Sequence, residues 1–167
     1  MQNKENVTID KIIDKMKANN PNSNTELIKK AYNYANENHK EQKRISGEPY
    51  IIHPLEVAYI LAELELDDST ICAALLHDVV EDTRETFTGL LMKGVDRPIV
   101  EALKLLTHEK STDYYNYIQR IIDSGNPIAI HVKQADLQHN LERGRAGGHL
   151  KLVIKHEKAW NMIKDIK

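Results

Sequence analysis

The stretch AALLHDVVEDT, residues 73–83, joins an apolar run to a cluster of ionisable side chains. The run begins at Ile71 and lasts through Leu76; His77, Asp78, Glu81 and Asp82 follow, separated only by Val79 and Val80. Such a run belongs in a core, where an unpaired charge is costly. At helical spacing His77 lies one turn before Glu81, and Asp78 one turn before Asp82, so the four line adjoining faces of a single helix. Left alone, the carboxylates repel one another and lose their hydration. A divalent cation reverses that balance, because imidazole and carboxylate become ligands and their charge is compensated. For any one of these residues, a helix end emerging into solvent is the plainer explanation. A His-Asp doublet closing a buried run, with further candidate ligands elsewhere, favours the metal.

The rest of the chain reads as helix almost throughout, and the expected fold is all-α. Gly and Pro are few, β-branched alternation is scarce, and the breaks fall between segments of helical period. Residues 8–18 form a short candidate helix that NNPNSN, 19–24, interrupts. Ser23 with Glu26 makes a capping-box pattern for a helix through His39, with Asn24 as a competing cap. A polar, glycine-bearing stretch, KRISGEPYIIHP, leads to Pro54 in the first turn of a helix ending near Glu65. Asp67 or Asp68 caps the helix of the opening motif. Further helices are expected at about 84–93, 97–107, 111–124, 126–141 and 150–165, with RGRAGG at 143–148 as a loop. No internal repeat, low-complexity segment or linker is visible, so residues 1–167 are expected to form one domain.

With 41% hydrophobic and 29% charged residues, the 167-residue chain has the composition of a soluble domain able to bury a core. A net charge of −2 and scattered basic residues give no electrostatic footprint for nucleic acid. The single cysteine, Cys72, sits inside the apolar run and reads as a small core residue. No signal-peptide pattern is present and no apolar segment approaches membrane-spanning length, so no membrane is expected as a partner and the cytoplasm is the expected compartment.

Two other places supply ligand candidates. His53 precedes Pro54 at a helix start, where an imidazole can point inward. Asp136 lies in HVKQADLQHN, an acid in a largely apolar helix, with Asn140 one turn later on the same face. Taken singly, these are an ordinary surface histidine and a solvated acid. Together with His77 and Asp78 they make a set of two imidazoles and two carboxylates, which suits Mn, Fe or Zn better than calcium and leaves positions open for water and substrate oxygen.

In order and separation, RISGEPYIIHP, HDVVEDT and KQADLQHN resemble the signature blocks of the hydrolase domain of RelA/SpoT-type alarmone enzymes, a branch of the HD metal-dependent phosphohydrolases. The resemblance is strongest over residues 25–142. It implies an all-helical fold that removes the 3′-pyrophosphate of guanosine tetra- or pentaphosphate, normally with Mn2+. It further implies His53, His77, Asp78 and Asp136 as metal ligands, Glu81 and Asp82 as the pair acting on the attacking water, and Arg44 and Asn140 as holding the nucleotide. Ile45 stands where the family commonly has a second basic residue, and Lys43 is placed to substitute for it. Gln134 and Gln138 replace leucines of the last block. The chain resembles the stand-alone small hydrolases, and self-association into a homo-oligomer is left open.

The physical chemistry agrees with these implied roles. Pyrophosphate ester hydrolysis needs a nucleophilic water and relief of phosphoryl charge, and a divalent metal provides both. Lys43 and Arg44 suit a polyphosphate, arginine offering bidentate contacts. Tyr114, Tyr115 and Tyr117 can stack a base, although tyrosines at helical spacing more often pack. Two alternatives remain: an HD phosphohydrolase acting on the 2′-phosphate of NADPH or on a nucleoside monophosphate, and a non-catalytic nucleotide-sensing module. Intact Glu81 and Asp82 argue against the second, since a pure binder needs no water-activating pair.

Overall fold

The computed structural model describes residues 6–167. Its helices are α1 (Ile9–Asn19), α2 (Thr25–His39), α3 (Ile52–Glu63), α4 (Asp68–Leu76), α5 (Val79–Asp82), α6 (Phe87–Met92), α7 (Arg97–Leu106), α8 (Tyr114–Ser124), α9 (Pro127–Gly147) and α10 (Leu150–Ile163). Among the described residues the fold is all-α, with one isolated antiparallel bridge between Lys43 and Pro49. Among the described residues no helix is long and apolar enough to cross a membrane.

The apolar run of the opening motif is the middle of the molecule. Every residue from Thr70 to Leu76 is buried, and α4 is surrounded by α2, α3, α7 and α9. A helix enclosed on all sides shows no polar face, which is why this segment lacks amphipathic periodicity. Asp67 starts α4 by accepting from the Thr70 backbone N–H at 3.0 Å, and Asp68 ties the helix to α2 by accepting from Ser23 Oγ at 2.5 Å and from the Asn24 N–H at 2.8 Å. Ser23 is thereby used across the fold, and the cap of α2 is Asn24, which accepts from the Leu27 N–H.

Three expectations need correction. The opening motif is not one helix: α4 stops at Leu76, and α5 is a separate turn. The Ala74 carbonyl accepts from the His77 ring at 2.5 Å and from the His77 N–H at 3.5 Å, so His77 competes for the oxygen that a continuing helix offers to residue 78. The segment RGRAGG is not a loop, because α9 runs through it to Gly147 and ends at Gly148, whose φ of +71° is the left-handed stop. Gly144 packs where α10 approaches α9, and a Cβ there would meet Val153 Cγ2 at 3.1 Å. Lastly, α6 and α8 begin later than expected, at Phe87 and Tyr114, behind the caps Thr86 and Asp113.

Candidate metal centre and cleft

Three helices bring the candidate ligands together. His53 lies in the first turn of α3, His77 caps the end of α4 with Asp78 next to it, and Asp136 sits in the middle of α9. One ligand atom each from His53, His77 and Asp136 fall within 4.8 Å of one another, and all three residues are buried. Asp136 Oδ1 is 2.8 Å from His53 Nε2 and 3.3 Å from His77 Nε2, while Asp78 Oδ2 lies 3.1 Å from His77 Nε2 and 3.6 Å from His53 Nε2. The break after Leu76 makes this possible, since it turns His77 and Asp78 toward one point. With its Nδ1–H donated to the Ala74 carbonyl, His77 turns its Nε2 toward that point.

The electrostatics of the group demand positive charge. Burial opposes ionisation of Asp78 and Asp136, yet His77 holds Asp78, and Lys133 with the two histidines holds Asp136, well below the usual carboxylate range. Burial likewise opposes charge on His77, but Asp78 and Asp136 hold it well above the ordinary imidazole value. His53, by contrast, is pushed down to about 4 by burial. One buried carboxylate, Asp136, and one half-buried, Asp78, facing two imidazole nitrogens within ion-binding range fit a divalent cation in donor type and charge.

Above this group opens a cleft of about 580 Å³, whose lining includes Lys43, Arg44, Tyr114, Lys133, Asn140 and Arg143. Glu81 and Asp82, on α5, form its wall beside Asp78. Their partial withdrawal from water, together with the charge of Asp78, pushes both carboxyls above their ordinary values. Arg44 and Lys43 stand on a tight hairpin: Tyr50 donates its backbone N–H to Gln42 O at 3.0 Å, Arg44 to Glu48 O at 2.9 Å, and Gly47, at φ +87°, to Arg44 O at 2.8 Å. Arg44 NH2 donates to Asn140 Oδ1 at 3.3 Å, and Asn140 Nδ2 donates to Asp136 Oδ1 at 3.2 Å, so the hairpin reaches the ligand group through one amide. Of the three tyrosines, Tyr114 lines the cleft, Tyr117 is buried and donates to Leu106 O, and Tyr115 lies under Lys158.

All the site residues expected from the sequence thus meet in one place. Several that matter there were not singled out. Tyr50 OH donates to Asp78 Oδ2 at 2.7 Å, and Lys133 Nζ donates to Asp136 Oδ2 at 2.9 Å. His139 faces His53, their Nδ1 atoms 2.6 Å apart, and its Nε2 meets Glu56, which also pairs with Arg143 at 3.2 Å. Lys133 and His139 lie three residues either side of Asp136, a signal the sequence held, because i±3 positions on a helix neighbour one another.

Residues 31–113 match the family model described as the HD domain. Together with the His-Asp doublet and its buried partners, the match defines the class: the chain is an HD-domain protein, a family that implies a divalent metal. Within that class its likeness is to RelA/SpoT-type proteins. It is 39% identical over 141 residues to a guanosine-3′,5′-bis(diphosphate) 3′-pyrophosphohydrolase of Aquifex aeolicus, an alignment covering 81% of this chain and 20% of that protein. It is 41% identical over 134 residues to a GTP pyrophosphokinase of Myxococcus xanthus, covering 72% of this chain and 17% of that one. The chain therefore spans about a fifth of the length of such curated relatives. A solved metazoan orthologue of SpoT, described as hydrolysing ppGpp, shares the fold with a TM-score of 0.60 at 23% identity, over 82% of this chain and 93% of that one.

Proposed function

We propose that this chain hydrolyses the 3′-pyrophosphate of guanosine tetra- or pentaphosphate in the cytoplasm, giving GDP or GTP and pyrophosphate, with Mn2+ held by His53, His77, Asp78 and Asp136. The observation that carries the reading is the convergence of three buried ligand atoms within 4.8 Å beneath a cleft walled by Glu81 and Asp82. When bound, the cation supplies Lewis-acid polarisation of phosphoryl oxygens and acidification of water.

The protein's own groups do the rest. Water attacks the phosphorus bonded to the ribose 3′ oxygen, the new P–O bond forms, and the bond to that oxygen breaks, the oxygen leaving with its electron pair and taking a proton from solvent to become the hydroxyl of GDP or GTP. Glu81 or Asp82 accepts the water's proton, and their raised carboxyl pKa makes them better bases than free carboxylates. Lys43 and Arg44 grip the phosphates at the cleft mouth, where a guanidinium binds two oxygens at once. Asn140 holds Arg44 in register with Asp136. Lys133 keeps Asp136 ionised and oriented.

A nucleotide panel assayed with Mn2+ tests the assignment. Pyrophosphate release from guanosine tetraphosphate is expected to exceed phosphate release from NADPH or nucleoside monophosphates. Preferred phosphate release from NADPH would move the substrate and keep the metal chemistry. Metal and nucleotide binding without turnover of any of them would make the chain a sensing module.

A further inference from the structure

His53 is linked through α9 to a carboxylate outside the ligand group. Four side chains stand in line: Asp136, His53, His139 and Glu56. Asp136 Oδ1 is 2.8 Å from His53 Nε2, the two Nδ1 atoms are 2.6 Å apart, and His139 Nε2 meets Glu56 Oε2. Both imidazoles are buried.

This line has three junctions between atoms that can each accept a hydrogen bond, and each junction needs one positive partner. Two neutral imidazoles bring two protons. If His53 carries its proton on Nδ1 and donates to His139, then His139 carries its own on Nε2 and donates to Glu56. The junctions to His139 and to Glu56 are then satisfied, and His53 Nε2 is left with a lone pair beside Asp136, where a cation completes the line. The opposite arrangement, with the proton of His53 on Nε2, turns the lone pair of His139 toward the Glu56 carboxylate, a contact between two acceptors that only an additional proton repairs. Glu56 thus selects one tautomer of His53 through His139.

We propose that His139 and Glu56 are positioning residues for the metal: they fix the tautomer and ring orientation of His53, and Arg143 secures Glu56 while reaching Glu48 on the hairpin that carries Arg44. The proposal rests on the reading of His53 as a ligand. Arg143 NH1 lies 3.3 Å from Glu48 Oε1, so one guanidinium joins the cleft mouth to the far end of the line. His77 has its tautomer set instead by the Ala74 backbone carbonyl.

Mn2+ affinity by calorimetry, with thermal unfolding of each variant in EDTA, provides the test. Loss of a partner behind a ligating histidine typically weakens metal binding by about 10- to 100-fold. His139→Leu is expected to show that loss, and His139→Asn, whose side-chain carbonyl can accept from the His53 Nδ1–H, to recover part of it. Glu56→Gln, a substitution nearer the surface, is expected to weaken binding with the EDTA melting temperature close to wild type. Combined with His139→Leu it should add nothing, because Glu56 acts through His139. Wild-type affinity in both His139→Leu and Glu56→Gln would overturn the relay and leave the metal centre standing, as would losses that multiply in the double variant. Failure of the unaltered protein to bind Mn2+ would overturn both.

Discussion

Glu81 and His77 lie within one short segment and are given different work. His77 is buried, with its Nδ1–H committed to Ala74 and its Nε2 aimed at Asp78 and Asp136. His77→Ala is expected to abolish most Mn2+ binding and all turnover, and to lower the melting temperature in Mn2+, since binding to the native state adds stability. Metal analysis of the purified variant checks this, and full occupancy would remove His77 from the ligand set. Glu81 stands on the cleft wall and accepts a long, 3.5 Å contact from the His108 N–H. Glu81→Gln keeps size and reach but cannot take a proton, so kcat is expected to fall by about 10²- to 10⁴-fold at unchanged metal content. Lost metal would instead make Glu81 a ligand, and retained kcat would leave Asp82 as the base.

The helices show which features were legible. The apolar run marked α4 as buried, Asp136 stood out as an acid in a largely apolar helix with Asn140 one turn later, and His53 was marked by its place before Pro54 at a helix start. The break after Leu76 was not legible, since it depends on a side chain taking a backbone carbonyl, an event that leaves no periodic trace. RGRAGG was misread for a related reason: two helical glycines look like a turn until the crossing of α10 gives one of them a packing role. Gly144→Val puts a branched side chain where a Cβ already meets Val153 Cγ2 at 3.1 Å. Overpacking of this kind costs about 1–3 kcal/mol. At roughly 2–4 °C per kcal/mol for a chain of this size, the melting temperature should drop by several degrees, and an unchanged value would mean that α10 yields freely. The spacing of His139 from Asp136 was legible, but its link to Glu56 was not, because only the packing of α3 against α9 puts the two in line.

Across the whole molecule, the net charge of −2 conceals a division of labour in the cleft. Carboxylates line its floor and wall, while Lys43, Arg44 and Arg143 stand at its mouth, an arrangement suited to a small polyanion that meets a cation at its base. Arg44→Ala is accordingly expected to raise KM and lower kcat/KM with metal content unchanged, as steady-state kinetics and metal analysis together would show. Ile45, largely exposed beside it, is the position where a lysine should improve handling of the tetraphosphate. The central claim is the position of bond cleavage, and phosphorus NMR of guanosine tetraphosphate incubated with the Mn2+-loaded protein tests it most directly. The expected spectrum shows GDP and inorganic pyrophosphate growing in equal amounts, both suppressed by EDTA and restored by Mn2+. Orthophosphate as the first product, or an unchanged nucleotide spectrum with Mn2+ demonstrably bound, would contradict the account.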